Sequence, residues 1–379
     1  MLPVPDAFHQ RSDADVNPPL GIEVNALSVD ALFDLYERTN FIYPAKREKL
    51  APVWPIVKRN WHDLRKAGEL LLSSMSVTDP GTGAVSSITK WRTSRYGWLI
   101  QHLVSDGNPL GTRAVMNGAI TAAYAAGRDR GYQNWFRPDN RFPARVFGTL
   151  PATTGPDQSA VHPLRLWNLN RNIPSAPCDG EIYRARVGGD IAALVEMAAR
   201  SRGPLWPVIE EFASDPELNS VNQLYQLVGL SRYRRVWMAT AKGSDRPVMA
   251  AAAYRGPLGM NFSFLENRCE LIVAPDADPS QITAVAPALL AAATEAYRDF
   301  ELPYIPVVAC DAANEALDAA GARWVRNYSQ SVWTHDACPG FYRHINRIYE
   351  RLLTRVSSKE SEKESEKERE GSHAIARAN

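Results

Sequence analysis

Residues 97–150 read GWLIQHLVSDGNPLGTRAVMNGAITAAYAAGRDRGYQNWFRPDNRFPARVFGTL, and the order of elements along this stretch decides the fold. GWLIQHLVS has the apolar content and length of a strand. It runs into DGNPLGT, whose two glycines and proline read as a loop. RAVMNGAITAAYAAGRDRG follows as an Ala-rich helix, with Gly131 suited to stop it. YQNWFR then predicts a second strand, the P-D-N turn a reversal, and PARVFGTL a short helix.

Working outward, the preceding residues supply an extended piece, GIEVNAL, and a helix from about Asp30 with Ala31, Leu32, Leu35 and Tyr36 at helical spacing. KREKLAPVWPIVKRNWHDLRKAG carries Leu50, Val53, Val57 and Trp61 on one side, and its two interior prolines are expected to break or kink it. ELLLSSMSV and AVSSITKWRT, separated by DPGTG, complete the strands before Gly97. Beyond residue 150, LRLWNL is expected as the last strand of a first unit.

The same order of elements runs a second time. EIYRARV opens it, helices are expected around 190–200 and 205–229, and RRVWMATA, PVMAAAAYR, MNFSFL and CELIVAP read as strands. A helix from about Pro279 to Phe300, the strand YIPVVA, the helix NEALDAAGA, the extended run WVRNYSQSVWTH and the basic amphipathic helix FYRHINRIYERLL follow. The expected organisation is a loose arm at 1–19, a first unit at 20–175, a second at 180–336, a C-terminal helix at 337–356 and a charged tail at 357–379. At 379 residues the chain is long enough for two cores.

The stretch from Gly97 to Leu150 resembles the core of the GNAT (N-acyltransferase) superfamily. In that family the strand before the loop splays from its neighbour, and the loop-to-helix junction binds the coenzyme A pyrophosphate through backbone N–H groups. Unpaired amides and the positive end of a helix dipole converge there on an anion. The family pattern is a basic residue or Gln, two residues, Gly, one residue, then Gly or Ala. This chain reads Asn108-Pro109-Leu110-Gly111-Thr112-Arg113-Ala114, keeping the central Gly111 and departing at Asn108 and Arg113. The resemblance implies an α/β fold (α+β mixed sheet) of two tandem GNAT-like domains, the second degenerate.

It also implies acetyl-CoA or another acyl-CoA as a substrate, bound along Leu103, Val104, Ser105, Asn108, Gly111, Thr112, Arg113, Ala114 and Asn140. The amides of Leu103–Ser105 would face the acyl oxygen. In the second unit the corresponding loop is DADPSQI, which lacks glycine and sets Asp276 and Asp278 where an anion would sit. A structural partner or acceptor-side wall is the expected role of residues 180–335, with a second coenzyme site as the alternative.

The family's chemistry needs a base for the attacking amine, and its members often use a Tyr to protonate the leaving thiolate. His102 is the candidate base, its reference pKa of about 6.5 suiting the task. Strict alternation would instead make it a core histidine sharing a face with Trp98, Ile100 and Val104. The position matching the acid holds Phe147, which cannot donate a proton. Tyr124 and Tyr132 are the nearby hydroxyls, and Asn140 or Asp139 could simply cap the next helix. Trp54, Trp61, Trp91, Trp98 and Trp135 are expected to fill cores or line a pocket.

Composition narrows the classes further. Forty-three basic and 42 acidic residues give a net charge of +1, so no global field gathers nucleic acid or an anionic membrane. Neither a secretory leader nor a membrane-spanning run is evident, and a cytoplasmic location is expected. Cys178, Cys269, Cys310 and Cys338 are too dispersed for zinc spacing, and no metal is expected. The leading expectation is an acyl-CoA-dependent N-acyltransferase with an unidentified amine acceptor. A non-catalytic binding protein on the same fold and a peptidyltransferase using aminoacyl-tRNA are the alternatives, the near-neutral charge giving the last no support.

Overall fold

The computed structural model describes residues 21–173, 178, 180–186, 188–244, 246–352 and 354. The expected N-terminal arm and charged tail lie outside the described residues. The first pass runs β1 (Glu23–Val24), α1 (Val29–Arg38), α2 (Pro44–Leu50), α3 (Trp54–Lys66), β2 (Leu72–Thr78), β3 (Val85–Arg92) and β4 (Gly97–Ser105). It continues with α4 (Pro109–Ala125), β5 (Gly131–Phe136), α5 (Arg141–Val146), α6 (Pro151–Thr154) and β6 (Ser159–Asn170).

The second pass has β7 (Gly180–Arg184), α7 (Gly189–Arg202), α8 (Leu205–Ile209), α9 (Asn219–Gln226), β8 (Tyr233–Ala241) and β9 (Pro247–Arg255). It ends with β10 (Cys269–Val273), α10 (Pro279–Ala293), β11 (Tyr304–Ala309), α11 (Asn314–Ala319), β12 (Arg323–Thr334) and a last helix, α12 (338–352).

Local sequence accounts for the boundaries that matter to the site. Ser28 accepts a hydrogen bond from the Ala31 amide and starts α1, which buries Leu32, Phe33, Leu35 and Tyr36. Pro52 and Pro55 divide the expected long helix: α2 ends at Leu50, a 3₁₀ turn spans Ala51–Val53, and Pro55 enters the first turn of α3, where its missing N–H costs nothing.

All twelve strands form one sheet in the order β1-β2-β3-β4-β5-β12-β6-β11-β10-β9-β8-β7. From the central β12–β6 pair outward, every step meets equivalent strands of the two passes: β5 and β11, β4 and β10, β3 and β9, β2 and β8, β1 and β7. Each half has one parallel junction, β4 with β5 and β10 with β11, and each junction is bridged by a long helix, α4 or α10. The fold is therefore a mixed α/β sheet built from two tandem units of equivalent topology.

Three expectations change. The helix expected from Arg113, with Gly131 as its stop, begins at Pro109 and ends at Ala125, and Gly131 opens β5. LRLWNL, expected to close the first unit, lies between β12 and β11, while β12 from the second pass lies beside β5. Each half thus borrows its central strand from the other. MNFSFL is not a strand: Asn261 Oδ1 accepts hydrogen bonds from the amides of Ser263 and Leu265, and Phe264 adopts φ +62°, so these residues turn. That turn projects from the second half onto the first.

Candidate functional site

The β4–β5 junction is open. The two strands pair only from Gly97–Leu99 to Gly131–Gln133 and then separate. Two side chains bridge the start of the gap: Asn134 Nδ2 donates to the Ile100 carbonyl at 2.5 Å, and Gln101 Nε2 donates to the Trp135 carbonyl at 2.6 Å. Beyond them lies a cavity of about 450 Å³. Its wall draws on both faces of the sheet: Ile88, Ile100, Met116, Phe136 and Phe147 belong to the core beneath α4, while Trp135 belongs to the core that includes α1–α3. The cavity therefore passes through the sheet at the splay.

His102 lines it in an unexpected way. The β3–β4 register shifts between Ser87 and Thr89, opposite a bulge on β4, and His102 there has φ +57°. The bulge breaks strict alternation, so Trp98 and Ile100 face the α4 side while Val104 joins the opposite core. His102 packs on that second side, stacked on Trp61 at 5.6 Å and Phe262 at 4.7 Å, with Tyr36, Phe41 and Trp91 around its edges. The expectation that His102 shares a face with Trp98 and Ile100 is corrected by the bulge.

Burial, reinforced by the charge of Lys46, pushes the His102 pKa well below its ordinary value, so the imidazole is neutral. Its Nδ1 has no hydrogen-bond partner, and neither do Asn134 Oδ1 and Trp135 Nε1, which belong to other residues of the cavity wall.

The loop before α4 differs from the expected array of bare amides. The Gly111 amide donates to Asn108 Oδ1 at 2.8 Å, the Thr112 amide and hydroxyl both donate to the Asn108 carbonyl, and the Asn108 amide donates to Ser105 Oγ. Pro109 has no N–H. Asn108 is thus the N-cap of α4, and it meets the helix's demand for an acceptor without a ligand. Gly111 also has a packing reason, since a Cβ there would lie 2.6 Å from Ser86 Oγ. Arg113 does not turn toward the loop; its Nε donates to Asn346 of α12 at 2.8 Å. Ala114 packs against the core under α4.

Of the other expected residues, Leu103 and Asn140 line the cavity, and the edge of β4 facing β5 from 101 to 105 has no strand partner. Asn140 occupies the N-cap position of α5 yet makes no capping bond, and Asp139 is held by Arg137. The simple capping explanation is corrected on both counts. Tyr132 donates to the Ala123 carbonyl, and Tyr124 is exposed against His335, so neither lines the cavity. Phe147 does line it.

The hydroxyl that sequence inspection missed is Tyr328. It comes from β12, hydrogen-bonds Ser263 Oγ at 2.6 Å, and has its pKa raised by burial. Only the strand exchange brings it beside β5. On the far side α12 bridges α4 and α5: Asn346 contacts Arg113 and Asn117, Tyr349 meets Phe142 edge-on at 5.9 Å, and His344 faces the Arg145 carbonyl.

At the equivalent junction of the second half, β10 and β11 pair at Cys269–Glu270 with Val307–Val308. Asp278 and Gln281 form a complete capping box at the start of α10, and Asp276 pairs with Arg200. The acidic side chains there are occupied by structural partners.

No protein-family profile matches the sequence, and no curated protein matches it. Among solved structures, the chain is similar to a GCN5-related N-acetyltransferase from Sphaerobacter thermophilus at 14% identity and TM-score 0.41, covering 84% of this chain and 97% of that one. It is also similar to the Saccharomyces cerevisiae N-myristoyltransferase with bound myristoyl-CoA, at 9% identity and TM-score 0.39, covering 86% and 82%. A GCN5-related N-acetyltransferase from Kribbella flavida matches at 11% identity and TM-score 0.32, covering 83% and 72%.

Proposed function

We propose that this chain is an acyl-CoA-dependent N-acyltransferase whose reaction takes place in the β4–β5 gap of the first half. The observation that carries this reading is the cavity through the sheet, with an unpaired strand edge on one wall. An acyl thioester is long, narrow and rich in amide groups, so it suits a channel offering free main-chain partners. The amine enters from the α2 side, and the coenzyme arm leaves toward α4 and α12.

In the reaction the amine nitrogen forms a bond to the thioester carbonyl carbon, and the C–S bond breaks. The amine gives up a proton, and the departing sulfur acquires one. His102 on the cavity wall is the candidate acceptor for the amine's proton, a weaker base than a free imidazole because burial lowers its pKa, while the Tyr328 hydroxyl is the proton donor that Phe147 cannot be. Main-chain amides of Leu103–Ser105 serve the developing oxyanion. The second half supplies part of the wall through Asn261, Phe262, Ser263 and Tyr328.

A second reading, a binding protein without turnover on the same fold, is favoured by the capped Gly111 amide and by Phe147. Calorimetric titration with acetyl-CoA and a longer acyl-CoA, followed by turnover assays over an amine panel, separates the two. Saturable binding with release of free thiol in the presence of an amine is expected. Absence of binding to either thioester would overturn the transferase reading.

A further inference from the structure

The mouth of the cavity carries positive charge that the described residues do not balance. Lys46 of α2 and Arg137 at the end of β5 line the cavity. Lys49 and, from β12, Arg326 stand close enough to act on Lys46: together with burial, the neighbouring Arg326, Arg137 and Lys49 pull its pKa down to about 8. Burial and Arg326 do the same to Lys49. Lys46 Nζ donates to the Phe41 carbonyl and sits over the Phe41 and Tyr43 rings, but makes no ion pair among the described residues; the same holds for Lys49 and Arg326. Asp139 is the acid facing this group, and Arg137 already holds it through Nε at 3.0 Å and Nη2 at 2.5 Å.

Cations that repel one another at a partly desolvated mouth cost free energy that an anion would recover. Below the mouth the wall is apolar, with Phe41, Trp135, Phe142 and Phe262. We propose that the acceptor amine carries a carboxylate on an apolar body, with Lys46 and Arg137, both on the cavity wall, holding the carboxylate at the mouth and Arg326 adding to the positive field there, while the amine faces His102. This rests on the transferase reading for the word acceptor; the carboxylate site itself is tested without it.

Phenylacetate and phenylacetamide have the same apolar body and differ in charge, so calorimetric titration of the full chain with each isolates the carboxylate. Phenylacetate is expected to bind at least tenfold more tightly. The preference is expected to vanish in Lys46→Met, to weaken in Arg326→Gln and to persist in Lys46→Arg, with thermal melting checked for every variant. Equal affinity for the two compounds, no binding of either, or a preference that survives the Lys46→Met/Arg326→Gln double variant would overturn the carboxylate site. Acetyl-CoA titrated into the same samples separates the two claims: thioester binding without carboxylate preference removes only the acceptor class, whereas carboxylate preference without thioester binding removes the transfer reaction and leaves the carboxylate site.

Discussion

His102 is a wall of the cavity and a piece of the core at once, and its protonation ties the two roles together. Burial lowers its pKa well below 6.5, and burial with the nearby Arg202 lowers that of His162 on β6 to about 3. Both imidazoles are neutral when folded, while in the unfolded chain each titrates near 6.5. The unfolded state therefore binds protons first as the pH falls, so the stabilisation is complete above about pH 6.5 and is lost below it, by up to about 1.4 kcal/mol per pH unit per group. Unfolding in urea is expected to show a loss of roughly 2–4 kcal/mol between pH 7 and pH 5 from these two groups. His162→Phe should remove about half of that dependence, and a pH profile unchanged by the substitution would show that the neutral imidazoles are not its source.

Among the elements, the turn from Asp106 to Asn108 that leads into α4 is where the proposed coenzyme site is tested, and Gly107 is the place to ask. It has φ +84° with open space beside it, unlike Gly111, where any side chain would strike Ser86. Gly107→Asp adds a carboxylate next to the expected diphosphate for about 1 kcal/mol of backbone strain. Acetyl-CoA affinity is expected to fall at least tenfold with the melting temperature little changed; unaltered affinity would mean that the diphosphate lies elsewhere. Much of this element was legible beforehand. β4 and β11 have the bounds read from the sequence, and Pro52 and Pro55 broke the helix as their chemistry requires. The bulge at His102 was not legible, because it inserts a residue without changing the apolar pattern. The turn at Asn261 was missed because its side chain, not a glycine, reverses the chain.

For the molecule as a whole, the exchange of β6 and β12 sets what each half can do. Local patterns announced both strands but not their neighbours, since pairing across more than a hundred residues leaves no trace in spacing; Tyr328 was invisible as a site residue for that reason. The halves are further joined by buried polar groups. Arg232 Nε donates to the Thr93 carbonyl, Glu211 accepts from the Tyr96 amide, and Gln330 Nε2 donates to Gln133 Oε1 and Glu210 Oε1. Arg202, Arg268, Glu210 and Glu270 extend this network without solvent, where removal of any one partner leaves an uncompensated charge. The second half thereby holds Asn261, Phe262, Ser263 and Tyr328 against a cavity whose mouth residues Lys46 and Arg137 belong to the first. A structure of the full chain soaked with acetyl-CoA tests this account most directly. The account predicts the thioester carbonyl between β4 and β5, within hydrogen-bond reach of a main-chain amide from 103–105 and on the same cavity as His102 and Tyr328. A thioester bound at the β10–β11 junction, or outside the sheet with the β4–β5 gap unchanged, would contradict it.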